Sequence, residues 1–222
     1  MELKKVKTVV VLQARSTSKR FPNKILKKVR GQTLIQVLIK RLKFCKKVDA
    51  IVVAIPKNKK QKKLKSHLKN IGANIFEGSE QNVLDRFYKA AKKFKPENVV
   101  RVTADCPLID YNLVDKLITI AKQNKYDYTS NVYPATFPDG LDVSVIKFKV
   151  LEEAWKKVKN LYDKEHVVTA LQKDKNLKKF NLTNKIDYSS ERWTVDEKED
   201  FFVIKKIIEN FRNLKFNWQS VL

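Results

Sequence analysis

Residues 12–24 read Leu-Gln-Ala-Arg-Ser-Thr-Ser-Lys-Arg-Phe-Pro-Asn-Lys. The stretch holds the cations Arg15, Lys19, Arg20 and Lys24, with hydroxyls at Ser16, Thr17 and Ser18 between them. Forked guanidiniums, ammoniums and hydroxyls suit phosphate oxygens. An apolar, strand-like run over 6–12 precedes the stretch and an amphipathic helix follows it. In an open α/β sheet, ligands bind outside the carboxyl ends of the strands. The pattern therefore reads as a triphosphate-binding loop built without the usual glycines. A solvated basic turn would not need Arg15 directly at the end of a buried strand, where its charge must find an anionic partner.

Carboxylates recur at comparable positions. Asp105 stands just past an apolar run over 98–103, in Arg101-Val-Thr-Ala-Asp-Cys-Pro-Leu-Ile-Asp110. Pro107 favours an extended conformation at Cys106 and turns the chain away. A carboxylate fixed there can hold a hard cation such as Mg²⁺, which takes one or two protein carboxylates plus phosphate oxygens. Asp110, just before a helix, suits an N-cap better. Asp196 ends a short extended run before the last helix. Alone it reads as a helix cap, and paired with Asp105 it becomes a second metal ligand.

Two further segments carry polar groups. In 76–86, Phe-Glu-Gly-Ser-Glu-Gln-Asn-Val-Leu-Asp-Arg, Gly78 permits close backbone approach and Ser79 offers a hydroxyl. The turn can read a base edge or simply cap a helix. Asp142 is an isolated carboxylate among apolar neighbours. It can bind an acceptor's hydroxyls or lie on the polar face of an edge strand. His67 and His166 have neither metal spacing nor a triad partner, and surface or core roles suit them. The chain contains no G-x-x-x-x-G-K-[ST], G-x-G-x-x-G or G-x-S-x-G. That argues against P-loop ATPase, Rossmann dehydrogenase and α/β-hydrolase chemistry.

These groups need a scaffold, and strand and helix signals alternate to supply one. Strand-like runs cover 6–12, 50–55, 74–76 and 98–103. Helical patterns cover 33–42, 58–70 with Asn58 as cap, a segment after Ser79 bearing Val83, Leu84, Phe87, Ala91 and Phe94, and 112–123. This order predicts an α/β fold with a mostly parallel central sheet and right-handed crossovers. The second half is less regular. Strands are expected over 126–130 and 141–146, helices over 148–159 and 164–172, extended chain over 180–184 and 193–195, and a final helix over 197–211. No linker or repeat interrupts the chain, so 1–222 reads as one domain, with a hairpin-like insertion around 130–146.

The 222 residues carry a formal net charge of +24, with 43% hydrophobic residues. The cations are mostly lysines spread over every predicted helix, with a dense run at Lys59, Lys60, Lys62, Lys63 and Lys65. That distribution suits solvated helix faces better than a specific nucleic-acid surface. No apolar run approaches the ~20 residues of a membrane span. The start of the chain lacks a secretory pattern, and Cys45 and Cys106 have no metal spacing, so a cytoplasmic protein with free thiols is expected.

Four segments together resemble the cytidylyltransferase superfamily of acylneuraminate and 3-deoxy-manno-octulosonate enzymes, and most of all its spore-coat polysaccharide protein F-like branch. They are Gln13 to Lys24, Gly78 to Arg86, Asp105-Cys-Pro-Leu-Ile-Asp110 and Thr194 to Asp200. Gly140-Leu-Asp-Val143 and Glu165-His-Val167 add to the likeness. The resemblance implies a nucleotide-diphospho-sugar-transferase type fold, CTP as donor, Mg²⁺ as cofactor, a sugar or sugar-acid acceptor and a homodimer. It implies Arg15 and Lys24 as catalytic, phosphate-binding cations, and Asp105 and Asp196 as metal ligands. Nucleotide contacts are expected from Gln13, Ala14, Arg15, Ser16, Arg20, Lys24, Gly78, Ser79 and Asp105, and an acceptor contact from Asp142. Phosphonate or phosphocholine-like acceptors, another nucleotide, and a basic nucleic-acid-binding protein stand as alternatives.

Overall fold

Strand β1 (Thr8–Gln13) is the axis of the molecule. In the computed structural model, which describes residues 6–222, it pairs in parallel with β4 (Ala50–Pro56) on one side and β6 (Asn98–Thr103) on the other. Val9, Val10, Val11 and Leu12 are each 0% exposed. Side chains alternate across a strand, so Val10 and Leu12 enter the core on one face and Val9 and Val11 the core on the other. This is why the strand reads as a continuous apolar run instead of an alternating one.

Strand β5 (Asn74–Gly78) pairs in parallel with β4. Beyond β6 the sheet continues with β8 (Ser144–Lys147), β7 (Tyr128–Ser130) and β9 (Lys179–Asn181), giving the order β5-β4-β1-β6-β8-β7-β9. β8 runs antiparallel to both its neighbours, and the other strands share one direction. The fold is thus α/β with a mostly parallel sheet flanked by helices. Strands β7 and β8 are integral to that sheet. The loop joining them is stitched to itself by Asn131, which donates to Leu141 O and accepts from Val143 N.

Helices α1 (Leu34–Leu42), α2 (Lys62–Asn70), α4 (Tyr111–Gln123) and α8 (Lys198–Asn210) contribute to one core. Helices α3 (Val83–Lys92), α5 (Phe148–Lys157) and α7 (Thr169–Lys173) contribute to the other. Asp110 caps α4, as its position implies, by accepting from Leu113 N. Asn58 does not cap α2. Its side-chain amide donates instead to Glu80. The cap of α3 is Asn82, and Ser79 acts one step earlier by accepting from Asn82 N.

Three features depart from the expected element map. The helix expected over 164–172 is broken into α6 (Leu161–His166) and α7. The break falls at Val167, whose φ of 61° is a left-handed conformation that disfavours β-branched residues. The buried Asp163 holds the two pieces together by accepting from Asn160 and Thr169. A small hairpin, β2 (Lys28–Val29) and β3 (Gln32–Thr33), precedes α1. Its two central residues, Arg30 and Gly31, both have positive φ, which matches the twist of a tight hairpin. Finally, the chain after α8 packs back across the sheet end, where Trp218 is buried against Phe137 and Tyr188.

Candidate active site

The carboxyl ends of β1 and β6 open into a cavity of about 670 Å³. The loop after β1 is fixed before it reaches this space. Ser16 is buried, and both its backbone N–H and its hydroxyl donate to Gln61 Oε1 at 2.9 and 3.0 Å. Ser16 O in turn accepts from Asn23 N at 2.9 Å, closing the loop on itself. Asn23 takes a left-handed φ of 57° and starts the single 3-10 turn Lys24–Leu26. That turn buries the stem of Lys24 and leaves the residue 8% exposed.

Lys24 Nζ lies 2.8 Å from Asp196 Oδ1 and 3.6 Å from Asp105 Oδ2. The two carboxylates are brought together by main chain, because Val195 N donates to Asp105 O at 2.8 Å. Asp196 is held from its other side as well. Arg20 NH2 is 3.1 Å and Arg192 NH2 3.4 Å away, and Asp196 N donates to Asp200 Oδ2 at 2.8 Å. Burial raises the Asp196 carboxyl, but Lys24, Arg20 and Arg192 outweigh it and hold the group below the usual range. Asp200 receives both Arg192 Nε and NH2 at 3.0 Å. Those bonds hold its carboxyl down to about 2, with help from the backbone N–H groups of Glu197 and Asp196.

A second charged layer lies behind. Arg101 Nε donates to Gln13 Oε1 at 2.6 Å, and burial lowers its pKa. Asp142 faces it electrostatically; burial and then Asp139 push its carboxyl up to about 6. Asp139 is itself raised by burial while accepting from Thr194 Oγ1 at 3.3 Å. Cys106 sits beside Thr103 and Asp105. Burial, reinforced by Asp105, raises its thiol well above the usual value, so it is an inert thiol.

Of the residues singled out in the sequence, Gln13, Ala14, Arg15, Arg20, Lys24, Asp105 and Asp196 line the cavity. Ser16, Gly78, Ser79 and Asp142 do not line it. Ser16 spends its hydroxyl on Gln61, and the space over Gly78 is taken by Arg86. A Cβ on Gly78 would come within 2.9 Å of Arg86 Cγ. Arg86, Arg101 and Glu165 line the cavity without having been assigned a role from sequence, and so does His166, for which a surface or core role was expected. The signal for Arg86 was present. It stands three residues from Val83 and four from Ala90, on the apolar face of an amphipathic helix.

Asp105 and Asp196 offer hard oxygen donors that already share one cation, the Lys24 ammonium, and their side chains are 35% and 25% exposed. Among the described residues no group of three His, Cys, Asp or Glu side chains could enclose a metal. Two open carboxylates with room for phosphate oxygens fit Mg²⁺, which keeps most of its shell for water and substrate.

The family model for cytidylyltransferases matches residues 9–218. The chain belongs to the cytidylyltransferase family. This cytidylyltransferase is 35% identical over 220 residues to an uncharacterized protein of Methanocaldococcus jannaschii, covering 98% of this chain and 89% of that one. It is 29% identical over 212 residues to the spore coat polysaccharide biosynthesis protein SpsF of Bacillus subtilis, covering 90% and 85% of the two chains. Among solved structures, a cytidylyltransferase from Leptospira borgpetersenii superposes with a TM-score of 0.91 at 29% identity, over 97% of this chain and 92% of that one. Among the described residues, no helix of this cytidylyltransferase is long and apolar enough to cross a membrane.

Proposed function

We propose that this cytidylyltransferase moves CMP from CTP to a hydroxyl of a sugar or sugar acid, releasing pyrophosphate, in the synthesis of surface polysaccharide or glycoconjugate. The observation that carries this reading is the Lys24 ammonium held between Asp196 and Asp105 at the foot of a cation-rich loop. The likeness to the spore-coat protein supports the acceptor class.

The acceptor oxygen forms the new bond to the α-phosphorus of CTP, and its proton passes to solvent. The bond from the α-phosphorus to the bridging oxygen breaks, and that oxygen leaves with the electron pair as part of pyrophosphate. Negative charge grows on the phosphoryl and bridging oxygens. Lys24 and Arg15 donate to these oxygens, and preorganised donors of this kind carry much of the rate. Lys24 is well suited to this task because its stem is buried and its head is aimed by Asp196. Asp105 and Asp196 would hold Mg²⁺, which supplies Lewis-acid neutralisation of the phosphate oxygens. Arg20 and Arg192 keep Asp196 ionised for that role. The family resemblance supports a homodimer, and the free thiols Cys45 and Cys106 suit a reducing, cytoplasmic location.

Pyrophosphate release tests the reading, with CTP crossed against sugar acids, neutral sugars, phosphonates and phosphocholine. Release with a sugar or sugar acid supports it. Release only with a phosphonate or phosphocholine would replace the acceptor while keeping the chemistry.

A further inference from the structure

Two of the lysines and arginines that line the cavity have acidic partners. Lys24 shares Asp105 and Asp196, and Arg20 pairs with Asp196 and Glu197. Arg101 donates to the neutral Gln13 Oε1, whereas Arg15, Lys19 and Arg86 donate to no other side chain among the described residues, Arg86 bonding main-chain carbonyls alone. Among the described residues, no carboxylate forms an ion pair with any of the three. All three line the cavity.

Arg86 is the unusual member, because it is 4% exposed. An unpaired buried charge is costly. Burial first, and then the neighbouring Arg15, lower its pKa to about 10 against the opposing effect of Glu80, so the guanidinium keeps its charge at neutral pH. Only neutral carbonyls serve it. NH1 donates to Ser79 O and lies 3.5 Å from Glu80 O, and Nε has no partner. A guanidinium has five donors, so most of its capacity is unused. Its stem occupies the space that Gly78 leaves open, with Cγ 2.9 Å from where a Cβ would stand. Two guanidiniums and an ammonium without an ion-pair partner, one of them buried and bonded to the Ser79 carbonyl, are complementary to a polyanion.

We propose that Arg86 is a phosphate-binding residue that completes, with Arg15 and Lys19, a site for the outer phosphates of the nucleotide. This rests on the reading of the cavity as the CTP site. The sheet order separates the two halves of that site. Asp105 follows β6, whereas Arg86 belongs to the turn and helix after β5, with β4 and β1 between them. The reacting α-phosphate is accordingly held near Lys24 and the leaving pyrophosphate near Arg86. Bond breaking places new negative charge on that pyrophosphate, where the buried guanidinium stabilises it.

Calorimetric titration of wild type and Arg86→Gln with CTP, tripolyphosphate and cytidine tests the assignment. Arg86→Gln is expected to weaken CTP and tripolyphosphate binding about tenfold or more, the size of a lost charge-assisted bond, and to leave cytidine unchanged. Equal tripolyphosphate affinity in the two proteins would overturn the proposal. So would a loss confined to CTP and cytidine, which would place Arg86 on the base. Should Arg86→Gln lose its folded circular dichroism spectrum, Arg86→Lys takes its place, since a lysine cannot make forked contacts. It is expected to bind tripolyphosphate more weakly than wild type, and equal binding would count against the assignment. Wild type binding neither CTP nor tripolyphosphate would remove the nucleotide reading itself, an outcome separate from failure of Arg86 alone.

Discussion

Lys24 Nζ meets Asp196 Oδ1 at 2.8 Å across 172 positions of sequence. Local secondary structure accounts for neither residue. A lysine that is 8% exposed needs a counter-charge, and an aspartate preceding a helix whose capping box is made by Glu197 and Asp200 is not needed as its cap. The pair links the phosphate loop after β1 to the segment before α8, and Asp105 joins it from the end of β6. Sheet and tail are thereby coupled at the point where charge would develop in the reaction.

Replacing that ammonium separates catalysis from folding. Lys24→Met keeps an apolar stem of similar length in the buried turn. It is expected to lower kcat/KM by about 10²–10³, the usual effect of deleting a preorganised charge. Steady-state kinetics on purified protein with an unchanged circular dichroism spectrum measures this. Activity within a factor of three of wild type would remove Lys24 from the chemistry.

Metal dependence should centre on Asp105. Chelation with EDTA is expected to abolish pyrophosphate release, and added Mg²⁺ to restore it. Asp105→Asn keeps the shape and removes one ligand charge, so half-maximal activity should require about tenfold more Mg²⁺ or higher, since ligand charge count sets such affinities. An identical Mg²⁺ titration curve for the variant would exclude Asp105 as a ligand.

Asp142 gives a pH-dependent stability with a definite sign. Its folded pKa, raised to about 6, lies above the unfolded value near 3.9. The folded state therefore binds more protons in this window, and stability falls as pH rises from about 4 to 6, then levels off. Asp142→Asn removes the penalty. Its melting temperature should exceed that of wild type at pH 8, and the two curves should converge toward pH 4. Parallel melting curves at all pH values would contradict the burial effect.

Arg41 explains how the end of the chain supports the site. It is 0% exposed and donates to the carbonyls of Leu108, Ile109, Leu214 and Phe216, with its guanidinium over the Phe216 ring. Asp110, also buried, accepts from Trp218 N at 2.8 Å. These bonds clamp the tail onto the loop that carries Asp105. Arg41→Met would leave buried carbonyls unpaired, each costing about 1–3 kcal/mol. Chemical denaturation should show a loss of at least ~3 kcal/mol, and a loss under 1 kcal/mol would show that the carbonyls find other partners.

Much of this arrangement is legible in the sequence because it is local. The apolar run before residues 13–24 marks β1, and the position of Asp105 just past β6 follows from the same logic at the next sheet position. The pairing of Asp105 with Asp196 is weakly marked in the sequence and gains its weight from the family resemblance, since tertiary folding alone brings them together. Ser16 illustrates what a linear reading misses. A hydroxyl amid cations suggests a phosphate contact, yet its partner, Gln61, lies 45 positions away. The break at Val167 is equally hidden, because a β-branched residue with φ of 61° runs against its intrinsic preference. That break leaves Glu165 and His166 at the cavity, where a straight helix over 164–172 had placed no functional residue. Arg101 and the C-terminal clamp depend on contacts between distant segments, which no periodicity encodes.

The most direct test of the central claim is calorimetric titration of the wild-type protein with CTP in the presence of Mg²⁺, beside UTP, ATP and GTP. The account predicts saturable, one-site binding of CTP that is at least about tenfold tighter than for the other nucleotides, a difference of ~1.4 kcal/mol. Equal, salt-sensitive binding of all four nucleotides, or no binding of CTP, would contradict it and leave the cation-rich loop as a basic surface without a nucleotide site.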